Sequence, residues 1–296
     1  MRQMLADQPP SDAKVRFAWA IVAGPAVARA STVSFTEGTL VVRTKSDSWF
    51  RAVERSRLTM LQHLTSLLGP GVVRTIVVAN DDRLHRTFRA GEAKGTGYLE
   101  DYADVAHGLL ELHVATGDLR WLRKANRLAR LAVELFGDDL HGGFFLSPAD
   151  GEQLVARKKD LEDHPTPSGN SMLAYVLLRL ARIYGDDELE QRAVGVFRLV
   201  HGALTRAPSA FGHALTALEL HFSPPRELAI VGPVDSPVAR AALERFQPDT
   251  VVAVGPADDV PLLAGKDLVD GKPAVYVCEN FACQAPVTSN EAFTAS

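Results

Sequence analysis

The stretch 157–170 combines charged side chains, a histidine and a Ser-Gly-Asn sequence between two apolar helical patterns. A carboxylate there can move protons, and basic or amide side chains can hydrogen-bond the hydroxyls of a sugar. Asp163 is the catalytic candidate in this loop. The candidates for substrate binding in it are Arg157, Lys159, His164 and Asn170. The alternative is structural, because Ser168 is a good N-cap for the next helix and Pro165 and Pro167 hold the approach extended.

A second group of candidates opens the helical pattern of residues 98–117, where Glu100, Asp101 and Tyr102 are consecutive. Two neighbouring carboxylates can serve as general acid and base on a sugar, so Glu100 and Asp101 are further catalytic candidates. Tyr102 is a further candidate for substrate binding. The alternative is that acidic residues in a first turn complement the helix dipole, for about 0.3–1 kcal/mol each.

The remaining polar motifs do not suggest a metal or a nucleotide cofactor. The histidines are scattered, at positions that include His107, His113, His141, His213 and His221. None of them has the His-x-x-x-His or Glu-x-x-His spacing of a zinc site. The chain also lacks a P-loop and a Rossmann glycine pattern, so the sequence predicts no metal and no cofactor.

Composition and charge suggest a soluble protein of more than one module. The chain has 296 residues and a net charge of −4, but residues 1–79 carry ten Lys/Arg and five Asp/Glu, a net +5, which leaves −9 for the rest. No apolar run approaches the roughly 18–20 residues of a transmembrane helix, so no membrane association is expected. Two cysteines are too few for a disulfide framework, which favours a cytoplasmic location.

The basic first module, residues 1–79, has the predicted order α-β-β-α-β. Its elements are a helix at 14–30 bent or ended by Gly24-Pro25, a hairpin at 31–46, a helix at 47–68 and a strand within 69–78. The first helix imitates a secretory signal, with basic residues, an apolar run and Ala-x-Ala. We interpret it as the start of a folded domain, because the patterned sequence continues after it.

Three motifs of this module, "WAIVAGPAVARAS", "GTLVVRTKSDSWF" and "LLGPGVVRTIVV", resemble the DciA family of helicase-associated proteins in bacterial replication. The resemblance covers about 65 residues and implies a KH-like domain that contacts single-stranded DNA and the replicative helicase. The candidates for phosphate contacts are Arg29, Arg43, Lys45 and Arg51. The alternative is that these four side chains are simply a solvated face.

The second module, residues 80–222, follows a polar stretch at 79–97 that is typical of a linker. Helices are predicted at 98–117, 119–136, 171–185, 187–205 and 209–222, and "GGFFLSP" (142–148) is predicted to be a short strand that residues 152–159 pair with. Helix pairs joined by short turns indicate an α/α toroid or bundle.

Four motifs of this region resemble the YyaL family of spermatogenesis-associated, thioredoxin-linked proteins. They are "GYLEDYADVAHGLLELHVATGD", "GGFF", "RKKDLEDHPTPSGNSMLAYVLLRLARIYGDDE" and "SPPRELAIVG". The resemblance extends to about residue 290 and implies an (α/α)6 toroid similar to sugar epimerases and six-hairpin glycosidases. It also assigns Asp163 to a family Asp-Gly-Ala-x-Pro-Ser-Gly-Asn pattern, in which His164 and Pro165 replace Gly and Ala.

The chain departs from that family because the thioredoxin-like domain and the first half of the toroid are absent. Either a gene fusion or a chimeric gene model explains the junction between the first and the second module. In both cases a complete catalytic cleft from one chain is not expected. A homo-oligomer is one way to complete the ring. Without it, we expect five leucines to need cover from elsewhere, namely Leu109, Leu110, Leu177, Leu178 and Leu180.

The tail, residues 223–296, has strand patterns at 227–233, 249–255 and 272–280 and a helix at 236–246, which predicts a small α/β unit. We interpret Cys278 and Cys283 as buried cysteines. The whole chain is therefore predicted to be mixed and mainly α. The leading hypothesis is a cytoplasmic YyaL-like fragment with an ancestral site for a carbohydrate-type small molecule, and it does not extend to a present activity. The alternatives are a DNA- or helicase-binding protein and a chimera without function.

Overall fold

The computed structural model describes residues 11–44, 47–80, 83–89, 92–149, 151, 156–290 and 293. They divide into two compact units, Met1–Asp82 and Arg83–Ser296. Each unit has its own buried core, the first around Trp19 and Leu64 and the second around Tyr102 and Leu173.

The first unit confirms the predicted α-β-β-α-β order. Its elements are α1 (Asp12–Arg29), β1 (Ser31–Thr36), β2 (Thr39–Thr44), α2 (Asp47–Leu68) and β3 (Thr75–Asn80). Ser11 caps α1 by accepting a hydrogen bond from the Lys14 backbone nitrogen at 3.3 Å. Gly24 has a φ of 74°, which kinks α1 just before Pro25. The helix therefore bends at the predicted point and then continues.

The sheet of this unit has the order β1-β2-β3, with β1 and β2 antiparallel and β2 and β3 parallel. Leu40, Val42 and Ile76 are buried in the core with residues of both helices. Side chains alternate along a strand, so the intervening positions face the other side of the sheet.

The predicted linker contains a hairpin instead of an unstructured stretch. Strands β4 (His85–Arg89) and β5 (Glu92–Thr96) pair antiparallel. The Gly97 backbone nitrogen donates to the Leu84 carbonyl oxygen at 2.9 Å, which holds the hairpin at the start of the following helix. Sequence reasoning missed this hairpin because its polar residues and glycines are equally typical of loops.

The five predicted helices of the second unit are confirmed. They are α3 (Leu99–Thr116), α4 (Leu119–Phe136), α5 (Gly169–Tyr184), α6 (Asp187–Leu204) and α7 (Gly212–Phe222), with a 3-10 turn at Pro208–Phe211. The caps set these boundaries: Asp118, Ser168 and Asp186 accept first-turn backbone hydrogen bonds. Gly117 and Gly185 end α3 and α5 in the left-handed conformation.

Helix α5 lies at the centre of the helical layer and is buried on almost every side. The cover that the five leucines need comes from the chain itself, because Leu109, Leu110, Leu177, Leu178 and Leu180 are all buried. The exposed apolar side chains of α3 and α7 are Val105, Leu112, Leu215 and Phe222. The homo-oligomer that would complete the ring stays a prediction.

The segment 142–148 forms a loop, so the predicted strand is wrong, although Phe144 makes one isolated bridge with Gly137. Part of its suggested partner, residues 152–155, lies outside the described residues. Leu146 donates its backbone N–H to the Lys158 carbonyl oxygen at 2.8 Å. A single such bond brings the two segments together without a ladder.

The tail forms the predicted α/β arrangement. Its elements are β6 (Arg226–Val231), α8 (Pro237–Leu243), β7 (Thr250–Val254), β8 (Ala274–Glu279) and β9 (Ala282–Cys283), in the sheet order β7-β6-β8-β9. Cys278 is buried as predicted, but Cys283 is exposed and the two are joined by a disulfide. The cross-strand pairing of β8 and β9 places them opposite each other.

Candidate functional site

Helices α3, α5 and α7 lie side by side with their N-termini at one end of the layer. Gly169 packs so closely on α3 that an added Cβ would come within 2.9 Å of the Glu100 backbone nitrogen. Asp163 joins the starts of α5 and α7, because it accepts hydrogen bonds from both. At the other end, Arg182 of α5 donates to the Leu220 carbonyl oxygen of α7. The three helices are therefore parallel.

The predicted carboxylates Glu100 and Asp101 lie at the start of α3 and form ion pairs with Arg86 of β4. The Arg86 Nη1 atom is 2.6 Å from Glu100 Oε1 and 3.0 Å from Asp101 Oδ2. These hydrogen bonds raise the pKa of Arg86. Asp101 also accepts from the Tyr98 backbone nitrogen at 2.8 Å, which caps the helix. The pair thus tethers the hairpin to α3.

Asp163 uses both carboxylate oxygens on backbone donors. Its Oδ1 atom accepts from the Ser168 nitrogen at 2.8 Å, and its Oδ2 atom accepts from the nitrogens of His213 at 2.8 Å and Ala214 at 3.2 Å. Asp163 therefore caps α7 and fixes the loop that leads into α5. Ser168 caps α5 by accepting from the Ser171 nitrogen at 3.1 Å.

Asn170 is fully buried and its amide is bonded on both sides to backbone groups. Its Oδ1 atom accepts from the Phe144 nitrogen at 2.8 Å. Its Nδ2 atom donates to the carbonyl oxygens of Phe144 at 2.9 Å and Asp160 at 2.8 Å. The side chain therefore holds two loops against the start of α5.

Arg157 and Lys159 also bond to backbone carbonyls. Arg157 donates to the Ser147 and Leu135 oxygens, and its guanidinium carbon lies 4.2 Å from the centre of the Phe145 ring. Burial lowers the pKa of Arg157. Lys159 donates to the Gly142 oxygen, and its Nζ atom lies 2.8 Å from Asp138 Oδ2. The hydrogen bond from Lys159 holds the pKa of Asp138 well below its usual range.

The last two predicted binding residues lie in contrasting surroundings. Tyr102 is fully buried, its hydroxyl accepts from the Leu84 nitrogen at 2.9 Å, and its ring packs edge-on against Phe136. His164 is exposed. The loop and helix starts thus bring most of the predicted residues together, and their observed bonds hold the scaffold. A role of these residues in catalysis or binding stays a prediction.

A second cluster lies further along the same three helices, and sequence reasoning did not identify it. Tyr175 of α5 lies between His107 of α3 and His213 of α7, with ring centres 5.8 Å and 5.4 Å apart. Burial, followed by the charge of Arg179, lowers the pKa of His107, and burial lowers the pKa of His213. The Nε2 atom of His213 is buried and has no hydrogen-bond partner among the described residues.

Arg179 and Glu111 extend this histidine–tyrosine cluster (His107, Tyr175, His213) by one turn. They form an ion pair between α5 and α3, and the Glu111 Oε1 atom lies 3.6 Å from His107 Nε2. The guanidinium carbon of Arg179 lies 5.6 Å from the centre of the Tyr175 ring. The three helices that carry these side chains are far apart from one another in the sequence. No short motif could have revealed the cluster. The i, i+4 spacings of His107 and Glu111 on α3 and of Tyr175 and Arg179 on α5 are compatible with it.

A cavity of about 1080 Å³ lies elsewhere, between the loop 138–144 and α6. Its wall includes Asp139 and Glu188, which both form ion pairs with Arg192. Neither the predicted residues of α3 nor the histidine–tyrosine cluster lines it. Size alone therefore does not identify it as the site.

In the first unit, the predicted basic residues lie on different elements. Arg29 is in the last turn of α1, Arg51 is on α2 and Arg43 is on β2, whereas Lys45 lies outside the described residues. Arg43 shares the sheet face away from the core with Val41 and Val77, and Val77 is 45% exposed. Hydroxyl side chains occupy five further positions of this open sheet face, namely Thr32, Ser34, Thr36, Thr39 and Thr75.

Two negative findings concern the described part of the chain. None of its helices is long and apolar enough to cross a membrane. Its His, Cys, Asp and Glu side chains form no group of three or more that is arranged to hold a metal ion.

Comparison with known proteins identifies a different relative for each unit. Residues 2–78 match the family model described as "Dna[CI] antecedent, DciA". Spermatogenesis-associated protein 20 from Rattus norvegicus is 33% identical over 227 residues, which cover 70% of this chain and 29% of the rat protein. The proteins of that name from Mus musculus and Homo sapiens are 32% and 31% identical and cover 70% and 65% of this chain.

Both resemblances are thereby confirmed. The N-terminal residues match the DciA model, and over 70% of its length the chain is similar to spermatogenesis-associated protein 20, of the YyaL-like family. It spans less than a third of the length of these curated relatives, 29% of the rat and mouse proteins and 26% of the human one.

Proposed function

We propose that the second unit binds a carbohydrate-type small molecule at the histidine–tyrosine cluster. The observation that carries this proposal is the position of Tyr175 between two imidazoles whose pKa values are lowered. An aromatic ring offers a face for the apolar side of a sugar, and a neutral imidazole can both donate to and accept from hydroxyl groups. Sites of this kind combine aromatic walls with a few placed polar groups.

The chemistry we propose for the cluster is proton transfer. One neutral imidazole takes a proton from the carbon next to a sugar carbonyl and becomes an imidazolium, which then returns a proton to the enolate carbon that the first step leaves. Histidine suits both steps because its ordinary pKa is near 6.5. Burial favours the neutral base in His107 and His213 at pH 7. This reaction class agrees with the epimerase-like toroid that the resemblance implies.

The carboxylates predicted from the sequence act as positioning residues in this proposal. Asp163 fixes the start of α7, because it accepts a hydrogen bond from the backbone nitrogen of His213, the second residue of that helix. Glu100 and Asp101 hold the start of α3, two turns before His107. The position of α7 relative to α5, and hence of the His213 imidazole relative to Tyr175, depends on the bonds of Asp163.

The first prediction concerns His213→Gln. We expect the parent protein to bind at least one member of a panel of neutral and acidic aldoses at pH 7.5, and the variant to bind it about 10-fold more weakly. One hydrogen bond to a ligand is worth about 1–1.5 kcal/mol, which gives that factor. Isothermal titration calorimetry measures the affinities, and exchange of a sugar C–H in deuterated buffer, followed by NMR, measures turnover.

The matched control is His201→Gln, since His201 is exposed on α6 and away from the cluster. It should leave the affinity unchanged. If the parent binds no sugar of the panel, or if His213→Gln binds as tightly as the parent, the proposed function is wrong.

A second candidate function belongs to the first unit. We propose that its open sheet face binds single-stranded DNA, and this rests on the hydroxyl-rich surface around Arg43 that neither helix covers. Hydroxyl groups and guanidinium groups both contact phosphates, and an open sheet accommodates an extended strand. The match of residues 2–78 to the DciA model is a separate reason to consider this function, because the sequence resemblance to that family implies contact with single-stranded DNA.

The second prediction tests this surface with Arg43→Gln in the whole protein. We expect weaker binding of a fluorescent oligothymidylate and a shallower salt dependence, by about 0.7 in the slope of log K against log salt for one lost phosphate contact. The control is Arg16→Gln, because Arg16 lies on α1 and is paired with Asp12 at 2.6 Å. Equal effects of the two variants would show a general charge effect and contradict a site on the sheet.

A further inference from the structure

Arg179 is an unusual feature of the histidine–tyrosine cluster, because a buried cation depends there on an exposed anion. Its side chain is 9% exposed, whereas that of its partner Glu111 is 54% exposed. A guanidinium is costly to bury unless it is paired, so the site needs a negative charge at this position. The carboxylate that supplies it is on the surface and can move away without unpacking the core.

The hydrogen-bonding capacity of Arg179 is mostly unused. A guanidinium has five N–H donors arranged to bind a carboxylate or a phosphate with two parallel bonds. In the described part of the chain, Arg179 donates one bond, from Nη1 to Glu111 Oε1. Donors therefore remain for an incoming oxyanion beside Glu111 or in its place.

The position of Arg179 connects this binding capacity to the proposed sugar site. It lies one turn after Tyr175 on α5, so both side chains project from the same face of the helix. Glu111 contacts Arg179 and lies 3.6 Å from His107. A ligand that replaces Glu111 on Arg179 would thus lie next to both the ring of Tyr175 and one of the imidazoles.

We propose that the ligand of this site is an acidic sugar, whose carboxylate or phosphate binds Arg179 in competition with Glu111. This inference rests on the proposed function and adds the ligand's charge to it. Glu111 acts as a stand-in for the ligand's anionic group when the site is empty. Arg179 is then the residue that determines specificity for acidic over neutral sugars.

The third prediction tests this competition by calorimetry at low salt with glucose, glucuronate, glucose 6-phosphate and inorganic phosphate. We expect one of the two acidic sugars to bind the parent at least 10-fold more tightly than glucose. The tighter of the two identifies carboxylate or phosphate as the preferred group. Glu111→Gln should strengthen acidic-sugar binding several-fold, because it removes the competing charge, and should thereby widen the preference for acidic sugars over glucose.

Two variants keep the test decisive. Arg179→Gln should abolish the preference for acidic sugars, and since it alters a buried residue, the conclusion rests on the surface variant Glu111→Gln as well. The control is Glu244→Gln, which removes a carboxylate from another Arg–Glu pair, at 3.2 Å from Arg240, without a nearby histidine. It should change no affinity.

The outcomes separate the two proposals. Equal affinity for glucose and the acidic sugars, or no gain in Glu111→Gln, would overturn the role of Arg179 and leave sugar binding intact. Inorganic phosphate that binds as tightly as glucose 6-phosphate would indicate an anion site without sugar recognition. That result would overturn the acidic-sugar inference and the proposed function together.

Discussion

Asn170→Ala is expected to lower the free energy of unfolding of the second unit by about 3 kcal/mol, the largest effect of a single substitution in the loop region. The side chain is fully buried and makes three hydrogen bonds to the backbone of Phe144 and Asp160. Alanine would leave a buried N–H and two carbonyl groups without their partner, at about 1–3 kcal/mol for each unsatisfied group before relaxation.

Urea unfolding followed by circular dichroism measures this change, and an unaltered slope would show that the variant unfolds from the same compact state. Gln191→Ala is the control, because Gln191 is an exposed amide on α6. It should cost less than about 0.5 kcal/mol. A small effect of Asn170→Ala would mean that the loops 138–144 and 157–168 are held by other contacts.

The helices could be predicted from the sequence because their ends are encoded locally. Asp118, Ser168 and Asp186 are N-caps, and Gly117 and Gly185 adopt the left-handed conformation that ends a helix. Each signal lies within a few residues of the boundary it sets. The hairpin β4–β5 was missed because what defines it is its packing beside α3, through Arg86 and Leu84, and a polar stretch does not encode that packing.

The candidate site was predicted only in part. The loop around Asp163 was located correctly, because prolines, a cap and charges are concentrated there. The sequence could not tell which partner each carboxylate meets, and all three predicted carboxylates bond to Arg86 or to backbone donors from elsewhere in the chain. The histidine–tyrosine cluster was missed for the converse reason: its members are unremarkable alone and come together only when α3, α5 and α7 pack in parallel.

The histidine–tyrosine cluster lies in a partly exposed region of the helical layer. His107, Tyr175 and Glu111 retain partial exposure, and Val105 and Leu215 on the flanking helices are exposed apolar side chains. The acidic-sugar proposal needs only the three helices that are described, since Arg179, Tyr175 and both histidines lie on them. The proposed binding site therefore does not depend on a second chain.

Asp163→Asn is expected to destabilise the second unit by about 1–3 kcal/mol and to weaken sugar binding as a consequence. The carboxylate accepts from Ser168, His213 and Ala214, and an asparagine can offer only one oxygen while its NH₂ group would face a backbone donor. Loss of a helix cap costs about 0.5–2 kcal/mol, and an unsatisfied N–H adds to it. The start of α7, and with it His213, should lose its fixed position.

This expectation differs from that of a catalytic Asp163, so the two roles can be separated. Asp139→Asn is the control, since the Asp139 side chain is 84% exposed and its pair with Arg192 should contribute less than about 1 kcal/mol. A positioning role predicts lower stability, faster amide exchange in the first turn of α7 and weaker ligand binding together. If Asp163→Asn instead abolished turnover while stability, exchange and affinity stayed at the parent values, Asp163 would be the proton-transfer group. Its hydrogen bonds to the backbone would then serve only to position it.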